Sequence, residues 1–259
     1  QKPWKRLLSI FAGPAANIVF AFIVTIGLLM AVGETVPVVH SVLDGYPAQV
    51  AGIQENDRIL AVNGRSVNFA SEAQLRIASD PSDIVTLTVQ RDGQTFEKQI
   101  TYQQTEEGKK VGVTWNPMPQ KFSFTQAIGL SFSWIVFIVE QMLVALGGLF
   151  TGAQSVTSLV GPVGTISLIG QSALIGAYSL LSLMVLLSIN LGIMNLLPFP
   201  ALDGSRLVFI IIEMVRGKPI SPDREGMVHF VGLIVLLGLM VLITYQDIVR
   251  LISGNGVLG

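Results

Sequence analysis

Residues 190–204 read NLGIMNLLPFPALDG, and this stretch decides what kind of protein the sequence encodes. An apolar run of helical length ends at Pro198 and Pro200, because proline cannot donate to the helical hydrogen-bond ladder. An acidic residue, Asp203, and Gly204 follow at once. Irregular backbone and an ionisable side chain beside an apolar helix are tolerated where they line a wet cavity or a functional site. The stretch therefore predicts a site at membrane depth.

The same residues also allow a purely structural interpretation. Asp203 can act as the N-cap of a helix over residues 206–215. Asn190 and Asn195 can hydrogen-bond between neighbouring membrane helices. The residues of this stretch alone leave the two interpretations open.

Long uncharged blocks surround the stretch. The chain has 259 residues, of which 51% are hydrophobic and 13% charged, and its mean hydropathy is +0.63. This composition excludes a disordered chain, a nucleic-acid binder built on basic surface and a single soluble globule. The absence of cysteine excludes disulfides and thiol catalysis. A helix needs about 20 apolar residues to cross a bilayer. We therefore predict spans at residues 7–32, 177–197 and 228–248.

Most charged residues lie between positions 34 and 123, where short apolar runs alternate with turn signals. Residues 51–64, AGIQENDRILAVNG, resemble the signature of PDZ domains. This resemblance implies a β-rich domain at residues 34–104 that binds an extended peptide at a sheet edge. A small β-rich domain without a ligand is the alternative. The expected strands cover 36–42, 58–62, 84–90 and 95–101, and the expected helix covers 71–78.

Basic residues set the orientation, because cytoplasmic loops are enriched in Lys and Arg. They cluster before the first span and between the last two, so the β-rich domain is expected to be extracytoplasmic. Between that domain and residue 177 the chain then crosses the membrane zero or two times. We prefer zero, with residues 105–176 as a linker that contains an interfacial or re-entrant helix at 127–150. The remaining segments are a first membrane helix at 1–33, before the β-rich domain, and two membrane helices within 177–259, after the linker.

The motif at 190–204 resembles the Asn-x-x-Pro-x-Pro-x-Leu-Asp-Gly motif of the site-2 protease family, the intramembrane zinc metalloproteases. Four further stretches resemble that family: residues 11–17 (FAGPAAN), 161–164 (GPVG), 227–232 (MVHFVG) and 245–251 (YQDIVRL). The resemblance covers essentially the whole chain. It implies a polytopic α-helical membrane protein with an inserted extracytoplasmic β-rich PDZ domain, located in a bacterial cell membrane.

The resemblance also implies the roles of the site residues. Asp203 would bind Zn²⁺ and Asn195 would be the catalytic residue that holds the substrate backbone or steadies the intermediate. Pro198, Pro200 and Gly204 would shape the turn between them. The family's H-E-x-x-H motif is absent, since the only histidines are His40 and His229. We therefore expect the remaining zinc ligands in a missing N-terminal segment and no activity from this chain alone.

The function implied by the resemblance is regulated intramembrane proteolysis. A zinc endopeptidase of this type would cut a single-span membrane protein, such as an anti-sigma factor or a signal-peptide remnant, after a first external cut. The PDZ domain would admit only shortened substrates. The alternatives are a non-catalytic PDZ adaptor or pseudoprotease and, less in keeping with the inserted domain, a transporter. His229 is expected to be a packing residue of the last span.

Overall fold

The computed structural model describes residues 2–105, 108–152, 159–218 and 221–253. Two compact units are formed, one by Leu29–Leu130 and the other by the chain on either side of it. The helices are α1 (Pro3–Ala31), α2 (Pro47–Val50), α3 (Ala70–Ala78), α4 (Phe124–Thr151), α5 (Pro162–Ile175), α6 (Ala177–Leu196), α7 (Asp203–Arg216) and α8 (Pro222–Ile252). The strands are β1 (Val39–Val42), β2 (Arg58–Val62), β3 (Arg65–Ser66), β4 (Ile84–Arg91), β5 (Gln94–Thr101), β6 (Gln103–Thr105), β7 (Gly108–Lys110) and β8 (Val113–Trp115).

Four helices in the described part of the chain are long and apolar enough to cross a membrane. They are Pro3–Ala31, Phe124–Leu149, Ala177–Leu196 and Glu225–Ile252. The first, third and fourth coincide with the predicted spans, because an apolar segment in a bilayer must satisfy its backbone polar groups within itself. The protein is therefore a helical membrane protein.

Helix α4 covers the segment predicted to be interfacial or re-entrant. It is continuous over its 28 residues, so a re-entrant break within 124–151 is not observed. Ile135 and Ile138 are buried in a cluster with Ala21 of α1 and Ile189 of α6. A helix of this length also fits a crossing, the alternative that the sequence left open. Its interfacial position stays a prediction.

The β-rich unit is built on an antiparallel sheet with the strand order β3-β2-β4-β5. Alternate residues of β4 are buried, which matches the alternation expected from a half-buried strand. The core of the unit includes Ile59 on β2 and Val85, Leu87 and Val89 on β4, and Ile77 of α3 packs onto it. The expected strands at 58–62, 84–90 and 95–101 and the expected helix at 71–78 are thus present.

Two tight turns fix the register of this sheet. Asn63 and Gly64 both have positive φ angles, 50° and 73°, and they join β2 to β3. Asp92 and Gly93 do the same between β4 and β5, with φ angles of 50° and 79°. Two successive residues with positive φ are the mark of the turn that matches the twist of a hairpin.

The β-rich unit extends beyond the boundary predicted at residue 104. Strand β8 pairs antiparallel with β1, with Val42 opposite Val113 and Val39 opposite Trp115. Val111 is buried in the core of the unit. The boundary at 104 falls inside the compact unit because the last strand is short and returns to the first one.

A buried ion pair closes the loop that carries the PDZ-like stretch. Asp57 is fully buried, and its carboxylate accepts two hydrogen bonds from Arg91, of 2.6 Å from Nε and 2.8 Å from Nη2. The Gln54 amide donates to the same carboxylate at 2.8 Å, and Arg91 Nη2 also donates to the Gly52 carbonyl at 2.8 Å. The pair therefore fastens the loop before β2 to the end of β4.

Helix α5 is attached to the far end of α8 by a second buried carboxylate. Asp247 is 1% exposed and accepts hydrogen bonds from the backbone N–H groups of Gly161, at 3.2 Å, and Gly164, at 2.8 Å. These groups lie at the N-terminus of α5, where the first backbone donors have no partner within the helix. A Cβ on Gly161 would come within 2.7 Å of the Asp247 carboxylate. The contact joins two of the stretches that carry the family resemblance, 161–164 and 245–251.

Candidate functional site

The turn between α6 and α7 is set by its two prolines. Leu197 and Phe199 each precede a proline, which disfavours helical backbone at those positions. Leu197 has extended geometry, with φ −62° and ψ 140°, and it ends α6. The Leu202 amide then donates to the Phe199 carbonyl at 3.1 Å and closes the turn. Pro198 and Pro200 thus occupy the positions that the sequence assigned to shaping this turn.

Gly204 holds the start of α7 against the end of α6. A Cβ added there would lie 2.1 Å from the Leu197 carbonyl oxygen and 2.4 Å from that of Leu196. Such contacts are impossible for any side chain, so the two helix ends approach this closely only with glycine. Asn195 and Asp203 each stand one residue from this contact, at the end of α6 and the start of α7.

Asp203 is the first residue of α7, and Leu202 is the N-cap. The interpretation of Asp203 as the N-cap is therefore wrong by one position. The Asp203 side chain is partly buried, and its carboxylate has no hydrogen-bond or ion-pair partner among the residues that the structure describes. A negative charge at a helix N-terminus is favoured by the helix dipole. The carboxylate is thus well placed to bind a cation.

Asn195 lies in the last turn of α6 and is partly exposed. Asn190 also lies on α6 but is exposed and five positions earlier, so it belongs to a different face of the helix. Of the two asparagines in the motif, only Asn195 is adjacent to the contact made by Gly204. A side-chain amide at this place can donate a hydrogen bond to an oxyanion or to a substrate carbonyl.

Helix α8 contacts the same turn from another side, which the sequence did not reveal. His229 Nδ1 accepts a hydrogen bond of 3.1 Å from the Ala201 backbone N–H. Gly232, one turn further along α8, leaves no room for a side chain, since a Cβ there would lie 2.3 Å from Pro200 Cβ. His229 is the only Asp, Glu, His, Lys or Arg between positions 226 and 246, and this was the one sequence signal that could have pointed to it.

The described residues supply one carboxylate toward a zinc site and do not complete such a site. No group of three or more His, Cys, Asp or Glu side chains that could hold a metal occurs in the described ranges. Zinc sites use three or four protein ligands, and a carboxylate is one of the accepted types. His40 lies on β1 of the β-rich unit, where it is exposed. Asp203 can therefore supply one of the ligands of a zinc site.

The family profile described as Peptidase family M50 matches residues 1–239 of the chain. The chain belongs to peptidase family M50. The resemblance to the site-2 proteases is thereby confirmed, over nearly the whole chain as expected.

Two named relatives of the M50 chain are RasP proteases from bacteria. The chain is 35% identical over 257 residues to the zinc metalloprotease RasP of Shouchella clausii. The aligned region covers 96% of this chain and 60% of that protein. The chain is also 34% identical over 256 residues to the regulator of sigma-W protease RasP of Bacillus subtilis. That aligned region covers 97% of this chain and 61% of that protein. The chain thus spans about three fifths of the length of these relatives.

One solved structure similar to part of the M50 chain is the PDZ domain of an SdrC-like protein from Listeria monocytogenes. The similarity covers 32% of this chain and 87% of that one, at 22% sequence identity and a TM-score of 0.28. A second is the PDZ domain of an SdrC-like protein from Listeria innocua, with a TM-score of 0.29 and 22% identity over 32% of this chain and 94% of that one.

Proposed function

We propose that the full-length protein is a zinc-dependent endopeptidase of regulated intramembrane proteolysis, with its cleavage site built on the turn between α6 and α7. The observation that carries this proposal is the unpartnered carboxylate of Asp203, held beside the broken end of an apolar helix. A bare carboxylate is costly to bury unless it has a cation or water. Membership of peptidase family M50 supports the same conclusion.

Asp203 would supply one ligand for zinc, and a working site would need further ligands besides the residues that the structure describes. A zinc ion held there would supply Lewis-acid chemistry, by which a water molecule is activated and a carbonyl group polarised. The protein's part is to hold the Asp203 carboxylate in a fixed position. The close contact of Gly204 with the Leu196 and Leu197 carbonyls serves this purpose, because the absence of a Cβ lets the first turn of α7 pack directly on the end of α6.

Asn195 acts on the substrate. Its amide lies one residue before the end of α6, next to the same contact, and donates a hydrogen bond to the substrate backbone or to the oxygen that gains charge during the attack. Loss of one such donor lowers kcat by about 10²–10³ in hydrolytic enzymes. The extended backbone of Leu197 ends the helical hydrogen-bond ladder beside Asn195.

The substrate is a single-span membrane protein, an anti-sigma factor or a signal-peptide remnant, already shortened by a first external cut. The relative from Bacillus subtilis is described as a regulator of a sigma factor, which favours the first of these. The β-rich unit is a PDZ domain that binds a peptide segment by strand addition and limits entry to shortened substrates. Strand β8 offers an edge for this, since it pairs with β1 on one side and no described strand pairs with its other side.

The protein resides in the bacterial cell membrane with the β-rich unit outside the cytoplasm. The basic residues support this orientation. Lys2 precedes α1 and Lys5 and Arg6 lie in its first turn, while Arg206, Arg216 and Lys218 lie on or directly after α7, so both ends belong to the cytoplasmic side. Arg6 and Glu213 form an ion pair of 3.0 Å, which places the start of α1 beside α7.

The test is cleavage of a model single-span substrate by the full-length protein in proteoliposomes, with Asn195→Ala beside the matched variant Asn190→Ala. Both substitutions remove an asparagine from α6. We expect wild-type cleavage to stop with a zinc chelator and to return with added zinc. Asn195→Ala should lower kcat by about 100-fold or more, while Asn190→Ala stays near the wild type.

Two results would contradict the proposal. A full-length protein that binds zinc and yet cleaves none of a panel of shortened single-span substrates would be an adaptor or pseudoprotease. Equal activity of Asn195→Ala and Asn190→Ala would remove Asn195 from the site.

A further inference from the structure

The side chain of His229 makes a directional contact with the backbone of the site turn. Its Nδ1 accepts the hydrogen bond from the Ala201 N–H at 3.1 Å, and the side chain is only 17% exposed. A ring nitrogen that accepts a hydrogen bond carries a lone pair, so the ring proton of the neutral imidazole is on Nε2. The observed contact therefore requires one particular tautomer of His229.

The other side of the imidazole is enclosed by α7 and α8. Nε2 is buried without a hydrogen-bond partner among the described residues, and the nearest carboxylate oxygen is Glu225 Oε1 at 3.9 Å, one turn earlier on α8. The ring of Phe209 on α7 meets the imidazole edge to face, with 5.9 Å between ring centroids and an interplanar angle of 70°. The ring is thus oriented by its neighbours with Nδ1 toward the turn.

The residue that His229 contacts is conformationally strained. Ala201 has a φ angle of +80°, in the left-handed region that favours glycine over residues with a Cβ. Such a conformation persists only where its surroundings hold it, and it recurs at functional sites. The hydrogen bond from the Ala201 N–H is a contact that holds it, and Asp203 follows only two residues later.

The turn is therefore fixed from two directions. Gly204 seats it against the carbonyl groups at the end of α6, and Gly232 and His229, one helical turn apart, seat Pro200 and Ala201 against α8. A side chain at Gly232 would push α8 off Pro200. The hydrogen bond from Ala201 to His229 is the polar component of this second contact.

We propose that His229 is a positioning residue, which acts through Ala201 to hold the left-handed turn that presents the Asp203 carboxylate to zinc. This inference rests on the proposed function. His229 does not bind the metal. It lowers the freedom of the segment between α6 and α7, so that the carboxylate is already in place when the metal binds. Outer partners of this kind contribute about 10- to 100-fold to metal affinity or activity.

The experiment uses the full-length protein and three substitutions at two neighbouring positions of α8. His229→Phe keeps a ring of similar size but removes the acceptor. His229→Gln restores an acceptor oxygen. The matched control is Phe230→Leu, since Phe230 is the next residue of α8 and is exposed. The first readout is the zinc dissociation constant from competition with a chelator, and the second is the separation of kcat from KM.

We expect His229→Phe to weaken zinc binding by about tenfold or more and to lower kcat by a similar factor, with little change in KM. The zinc dissociation constant and kcat of His229→Gln should lie within about threefold of the wild-type values. Those of Phe230→Leu should equal the wild-type values. Melting temperatures in detergent report on folding for each variant. A variant with the melting temperature of the wild type that binds zinc less tightly is still folded but no longer holds the Asp203 carboxylate in position.

A second substitution tests the route through the turn. Ala201→Gly removes the penalty of the positive φ angle. If His229 acts by holding that conformation, His229→Phe should cost less zinc affinity in the Ala201→Gly background than in the wild type. A double-mutant cycle on the zinc dissociation constant measures this coupling.

The proposal is overturned if His229→Phe binds zinc with wild-type affinity, or if His229→Phe and His229→Gln are equally impaired and Ala201→Gly rescues neither. The Asp203→Ala variant separates this failure from that of the proposed function. If Asp203→Ala loses zinc while His229→Phe keeps it, only the positioning role fails. If Asp203→Ala keeps zinc, the assignment of the metal site itself fails.

Discussion

Some positions in the β-rich unit and around the site turn accept only a few residue types, because one contact at each position limits the size or chemistry of the residue. Gly204 and Gly232 stand where a Cβ would overlap neighbouring atoms. Asp57 stands where a carboxylate must meet Arg91 and the Gln54 amide. In each case the residue type follows from one contact, so each contact can be tested by one substitution.

Asp57→Ala should destabilise the β-rich unit strongly. The substitution leaves the Arg91 guanidinium, whose side chain is 29% exposed, without its carboxylate and leaves the Gln54 amide without its acceptor. Because water reaches the Arg91 side chain, the expected cost is that of the lost hydrogen bonds, about 1–3 kcal/mol. The measurement is urea unfolding of the chain in detergent, followed by Trp115 fluorescence after Trp4 and Trp134 are replaced by Phe.

The matched control for Asp57→Ala is Glu55→Gln, two residues away on the exposed surface of the same loop. It should change the unfolding free energy by less than about 0.5 kcal/mol. Equal stability of Asp57→Ala and Glu55→Gln would show that the buried pair contributes nothing to the fold.

Much of the site could be predicted at the level of single residues. The two prolines, the carboxylate and the glycine of the motif are adjacent in sequence, so the turn that they form is a local property. His229 and Asp247 were not predicted to contact the turn and α5, because each contact joins residues far apart in the chain. An isolated polar residue in an apolar segment indicates some partner, but sequence pattern alone does not say which.

At the scale of helices and strands, apolar length and turn residues predicted most elements. The Asn-Gly and Asp-Gly turns fixed the two hairpins of the sheet because few other residues adopt two positive φ angles in succession. Strand β8 was missed, and with it the end of the β-rich unit. A strand of three residues carries too little alternation to be recognised, and its pairing with β1 is a long-range contact.

Asp247→Ala should loosen α5 from α8. It leaves two buried backbone N–H groups, those of Gly161 and Gly164, without an acceptor, and each unsatisfied group costs about 1–3 kcal/mol. We expect a lower melting temperature in detergent, with Asp247→Asn in between because one acceptor oxygen remains. Tyr245→Phe, on the exposed side of the same helix, is the control. A melting temperature of Asp247→Ala equal to that of the control would mean that the contact does not stabilise α5.

The orientation of the helices can be tested by cysteine labelling, since the chain has no cysteine of its own. Cysteines placed at Gln104 in the β-rich unit and at Lys218 after α7 should react with a membrane-impermeant reagent from opposite sides of the membrane. A cysteine at Thr151, at the end of α4, reports whether that helix crosses. Labelling of positions 104 and 218 from the same side would be incompatible with the proposed topology.

In the whole molecule, the chain enters and leaves the β-rich unit through two segments that are hydrogen-bonded to each other. The amide of Glu34 donates to the Gln120 carbonyl and the amide of Gln120 donates to the Glu34 carbonyl, both at 3.0 Å. Gly33 has a φ angle of +88° and lies against the Gln120 carbonyl, where a Cβ would not fit. The two ends of the insert are thus adjacent, so the unit can be removed without stretching the chain.

Replacing residues 35–119 by a short Gly-Ser linker should preserve or relax cleavage by the full-length protein. The reason is that the described β-rich unit limits access in the proposed function and contributes no site residue. The measurement compares cleavage of full-length and shortened forms of one single-span substrate. The protein that carries the deletion should cleave both forms. Loss of all cleavage in a variant that remains folded and binds zinc would show that the unit delivers substrate instead.

The most direct test of the metal site is the zinc content of the purified full-length protein, determined by elemental analysis for the wild type, Asp203→Ala and the control Asp223→Ala. A complete site predicts about one zinc per chain for the wild type and for Asp223→Ala, and far less for Asp203→Ala, together with loss of cleavage. Stoichiometric zinc and wild-type turnover in Asp203→Ala would contradict the account.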